Sequence, residues 1–116
     1  MLAFCLLPLA AGAQLDDDVV KLAKSLLLQA QAGQFDRSHF SDKLDMMMDD
    51  DTVADLSTQL KPLGAPAGFD LESKTGIDTS TVYRFHVTFK TAVIEETLTL
   101  GSDGKISSLS FKPPQS

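Results

Sequence analysis

Thr81-Val82-Tyr83-Arg84-Phe85-His86-Val87-Thr88-Phe89-Lys90 is the stretch that decides the fold. Tyr83, Phe85, Val87 and Phe89 are apolar, and Arg84, His86, Thr88 and Lys90 between them are polar. That period of two belongs to a strand with one face in a core and the other in water. After Thr91-Ala92 the alternation resumes from Val93 to Leu100. There Ile94, Glu96, Leu98 and Leu100 share one face and Val93, Glu95, Thr97 and Thr99 the other, which makes Glu96 the polar misfit on an apolar face. Gly101-Ser102-Asp103-Gly104 supplies the small and polar residues of a tight reversal, so Lys105 to Lys112 is predicted to return as a further strand. Its apolar positions change phase after Ile106, which calls for a bulge or for an Ile106 still in the turn.

Upstream, Phe69-Asp70-Leu71-Glu72-Ser73 alternates in the same way and reads as the opening strand of the sheet, with a loop over residues 76–80. Before it, Leu63-Gly64-Ala65-Pro66-Ala67-Gly68 redirects the chain. Three helices precede that hinge. Val19, Leu22, Ala23, Leu26, Leu27 and Ala30 form one apolar stripe ending at Gly33, with Asp16, Asp17 and Asp18 placed to favour the helix start. Ser41 is expected to cap a second helix through Met48, whose Met46-Met47-Met48 run would fill gaps between helix and sheet. Thr52 and Asp55 fit a capping box for a third helix with Val53, Leu56, Leu60 and Leu63 on its stripe. Helices followed by an antiparallel meander mean α+β: amino-terminal helices packed on one face of a curved four-stranded sheet.

The chain has 116 residues and a net charge of −6, with 43% hydrophobic residues. At that size roughly 60–65% of the unfolded surface is buried on folding, enough for one core. Seven aspartates lie in residues 36–60 against Arg37 and Lys43. An acidic chain without a basic patch repels phosphate backbones, which argues against nucleic acid as a partner.

Residues 1–13 read as a signal peptide. Leu2 to Leu9 is an apolar run too short to span a bilayer, and Ala11-Gly12-Ala13 is a small-x-small cleavage pattern. A secreted or periplasmic location follows as the expectation, with a single α+β domain over residues 14–113, a tail or linker start over residues 114–116, and no integral membrane span. Cys5, the one cysteine, would leave with the leader.

The motifs Ala32-Gly33-Gln34-Phe35-Asp36, Gln59-Leu60-Lys61-Pro62-Leu63-Gly64, Tyr83 to Phe89 and Asp103-Gly104-Lys105-Ile106 together resemble those of a bacterial module. It is an uncharacterised nuclear-transport-factor-2-like, cystatin-like domain often found ahead of serine-hydrolase domains in envelope proteins. The resemblance covers most of residues 17–113. It implies a curved sheet wrapped about helices and an apolar cavity, which some members use for catalysis and others for binding or dimerisation.

No G-x-S-x-G elbow, Walker loop, H-E-x-x-H or C-x-x-C is present. Ser38-His39 and Ser102-Asp103 do not build a triad, because no third member is indicated. His39 and His86 have no partner at helical ligand spacing, so the sequence names no metal site, and it implies no cofactor. An inward Glu96 is the candidate general base, with Tyr83 on the neighbouring strand as its hydrogen-bond partner. Glu96 could instead reach water at the sheet's open end or pair with Lys or Arg, and a register shifted by one residue would put Glu95 inside. The expected function is a non-catalytic accessory module binding a small apolar ligand or a protein partner. The alternatives are a small pocket enzyme of isomerase or hydratase type, and a structural domain that forms a homodimer through the sheet's outer face.

Overall fold

The computed structural model describes residues 17–113 in full. Residue 1 and the tail over residues 114–116 lie outside the described residues, and the side chains of residues 2–16, which take in most of the expected leader over residues 1–13 and Cys5, lie outside them too. The elements run α1 (Leu2–Ala32), η1 (Arg37–His39), α2 (Asp42–Met47), α3 (Asp50–Leu60), η2 (Lys61–Leu63), β1 (Gly68–Ile77), β2 (Ser80–Thr88), β3 (Val93–Leu100) and β4 (Ile106–Lys112). The four strands form one antiparallel sheet in the order β1-β2-β3-β4, a curved and unclosed meander. Helices on one face of such a sheet make the expected α+β fold. Among the described residues, no helix is long and apolar enough to cross a membrane.

The two alternations sort their residues as a pleated strand must. Phe85 and Val87 are fully enclosed and Tyr83 is buried, whereas Arg84 is exposed and His86 half-buried. Val19, Ala23, Leu26, Leu27 and Ala30 of α1 form one core with them, joined by Leu44, Met48, Val53, Leu60, Leu98, Ile106 and Leu109. α1 packs on α3 and β1, and α2 on β4.

Two β-bulges shape the sheet. Leu100 pairs with Ile106 and Thr99 with Ser108, so Ser107 is the extra residue. That extra residue is why Ile106 and Leu109 both point inward despite odd spacing. In β1, Leu71 pairs with Phe85 and Ser73 with Arg84, which leaves Glu72 as the unpaired residue. β1 also runs longer than expected, to Ile77. The reversal is only Asp78-Thr79, with Asp78 at φ 54°, a left-handed conformation that Asp tolerates.

The helix starts differ from expectation. Asp49, not Thr52, caps α3: its carboxylate accepts from the Thr52 backbone N–H at 2.9 Å, which holds its pKa below the ordinary value. Asp50 and Asp51 then occupy the first turn, where the helix dipole favours negative charge. Asp17 and Asp18 are exposed residues inside α1 and do not open it. Of the methionine run only Met48 is buried, while Met46 and Met47 are exposed. Met46 and Met47 lie in the last turn of α2 and Met48 is the non-helical residue that caps it, so the three point in different directions.

Gly33 ends the α1 stripe at φ 76°, and a Cβ there would come within 3.4 Å of Ser57, whose hydroxyl donates to the Gln31 carbonyl at 2.7 Å. Left-handed backbone costs a residue with a Cβ about 1–2 kcal/mol. Gly33→Ala is therefore expected to lower the thermal midpoint by several degrees, measured by circular dichroism, without changing the spectrum of the native state.

Candidate functional site

Two glutamates adjacent in sequence, Glu95 and Glu96, project from opposite faces of β3 and meet opposite environments. Glu96 pairs across the sheet with Phe85 on β2 and Phe111 on β4. It is fully enclosed, and neither carboxylate oxygen has a hydrogen-bond partner. Burial with no compensating donor pushes its pKa well above the ordinary carboxylate value. The inward register expected from the sequence is thus the one the sheet adopts.

Glu96 neither reaches water nor pairs with Lys or Arg. Tyr83 sits opposite Leu98, stacks beside Phe85 with ring centroids 6.4 Å apart, and makes no hydrogen bond to Glu96. Lys74 lies over the Tyr83 ring at 5.7 Å from its centroid. A general base needs hydrogen-bond reach of a substrate proton. Glu96 is fully enclosed, with Phe85 and Phe111 as its cross-strand neighbours, so its carboxylate is out of reach of a substrate in solution.

Polar chemistry converges on the other face. His86 and Glu95 are cross-strand partners on β2 and β3. The β1 bulge turns Glu72 toward them, and Glu72 Oε2 stands 2.5 Å from His86 Nε2. One ligand-type atom from each of Glu72, His86 and Glu95 lies within 4.8 Å of the others. Glu72 is exposed, His86 half-buried and Glu95 only 7% exposed. Reading spacing along one element could not find this group, because its three members come from three strands. The His86–Glu95 pairing was accessible in principle from the hairpin register, since Thr88 opposes Val93 across a short loop. The third member depends on a bulge that leaves no mark in β1's composition.

The remaining residues singled out in the sequence do not assemble into a site. His39 lies exposed in η1, far along the chain from His86, and Asp36 beside it accepts from the Ser38 backbone N–H at 3.1 Å as a local cap. Asp103 accepts from the Lys105 backbone N–H at 2.9 Å and serves the β3–β4 turn. A cleft of about 290 Å³ opens between α2 and β4, lined by Lys43, Leu44, Met47, Met48 and Leu109 among others, and Glu96 does not line it. In comparisons with known proteins, no family model, no curated protein and no solved structure matches this chain.

Proposed function

We propose that this chain is a non-catalytic binding module that meets its ligand on the exposed face of its sheet, not in an interior cavity. The observation that carries this reading is the contrast between the two glutamates of β3. Glu96, the one inward carboxylate among the described core residues, is sealed and unpartnered, whereas Glu95 opens onto a group that also holds Glu72 and His86. A pocket enzyme of isomerase or hydratase type would need room beside Glu96, and the core takes that room. Export to the envelope or the exterior, expected from residues 1–13, belongs to the same proposal, as does the resemblance to an envelope accessory domain.

The test uses apolar probes that seek interior cavities. Anilinonaphthalene sulfonate and decanoate, titrated into isotopically labelled protein, are expected to leave the amide resonances of Phe85, Glu96 and Leu98 unmoved. Saturable shifts centred on those residues would restore the cavity and overturn the reading.

A further inference from the structure

We propose that Glu72, His86 and Glu95 form a binding site for a divalent transition-metal ion of the zinc class. The inference deepens the reading of the sheet's outer face as the binding surface and rests on it. Three side chains from three strands converge there, one imidazole and two carboxylates, with their candidate ligand atoms within 4.8 Å of one another. Ligands bound at about 2.0–2.1 Å with tetrahedral angles stand roughly 3.3 Å apart, so side-chain shifts of an ångström or so close the set.

Glu95 supplies the second observation. It is 7% exposed, and among the described residues no hydrogen bond or ion pair holds its carboxylate. Lys112 is its cross-strand neighbour on β4, yet the two form no ion pair. Most of the side chain is buried, and its carboxylate faces the His86 ring and the Glu72 carboxylate; Glu72 and Glu95 are like-charged acids that a cation placed between them would offset. A doubly charged cation between them would balance both glutamates and give Glu95 the partner it lacks.

The donor set selects the ion. Imidazole nitrogen suits zinc and its first-row neighbours, whereas magnesium and calcium take oxygen ligands, and calcium takes six to eight of them. Three protein ligands on an open face leave at least one coordination position for water or a ligand donor, as in zinc sites that exchange their fourth ligand. The bulge at Glu72 is the structural device: it breaks the β1–β2 ladder at the one residue that must lean toward His86.

The test is a calorimetric titration of tag-free, chelator-stripped protein with zinc chloride, and with magnesium and calcium chloride as comparators. One zinc per chain is expected, bound more tightly than either comparator. His86→Ala and Glu95→Gln are each expected to weaken it by at least about tenfold, the scale on which even outer-shell partners act. His39→Ala should bind as the parent does. If Glu95→Gln fails to fold, Glu72→Gln, at an exposed bulge, provides the same comparison. The inference is overturned by the absence of saturable zinc binding, by zinc binding indifferent to these substitutions, or by magnesium or calcium binding as tightly as zinc. Zinc failure with a silent interior in the apolar-probe titration removes the metal assignment alone. Interior shifts in that titration would remove the outer-face reading whether or not zinc binds.

Discussion

Phe85→Ala is expected to destabilise the domain by about 3–5 kcal/mol, read as a large fall in the urea midpoint, and to leave little folded protein at elevated temperature. Phe85 is completely enclosed, its ring lies 5.2 Å from that of Phe69 and 6.4 Å from that of Tyr83, and its backbone pairs with Leu71 on one side and Glu96 on the other. Removing the ring takes away its transfer energy and leaves a void that neighbours on three strands cannot fill. Domains of this size are stable by only about 5–15 kcal/mol, so the loss is a large share of the total. Arg84→Ala, one residue away on the exposed face, should stay within about 0.5 kcal/mol of the parent. The two substitutions together read the register, since a slip by one residue would exchange their effects.

Glu96→Leu is expected to act in the opposite direction and stabilise the domain. An unpaired polar group in a core costs about 1–3 kcal/mol, more when it is charged, and leucine suits a site between Phe85 and Phe111. The gain must depend on pH. Because burial raises the folded-state pKa of Glu96 above its unfolded value, the native state holds its proton more tightly than the unfolded chain does. At pH below the unfolded pKa both states are protonated and the group's contribution to stability is fully present. As pH rises from there through the folded pKa that contribution is lost. The advantage of Glu96→Leu should therefore grow from acid toward neutral pH, as measured by urea unfolding of both proteins across that range. An advantage that shrank toward neutral pH would mean that Glu96 gains a donor or a cation in the folded state.

The fold was legible wherever local pattern and burial agree. Alternation from Tyr83 to Phe89 needed only one wet and one dry face, and the stripe from Val19 to Ala30 only a core to meet. Even the anomaly at Ile106 was visible as a change of phase, and the Ser107 bulge is its cause. Features that depend on competition between neighbours were harder to read. Asp49 and Thr52 could each open α3, and the earlier carboxylate took the cap. Three methionines of equal hydrophobicity could not all turn inward, and the one buried is Met48, where the chain leaves α2. Glu96 was recognisable as inward, but its lack of a partner was not, because that depends on what every surrounding side chain fails to offer. The group on the outer face was least legible of all. Its members stand 14 and 9 residues apart along the chain, and they meet only through strand pairing and one bulge.

The most direct measurement of the account is a pH titration of the Glu96 side-chain carboxyl carbon by nuclear magnetic resonance, followed from acid to mildly alkaline pH in the folded protein. A carboxyl enclosed beneath Phe85 and Phe111 with no donor should titrate well above the ordinary value of 4.5. A midpoint at or below that value would put Glu96 in water or beside a cation, and would contradict both the closed interior and the division of labour between the two faces of the sheet.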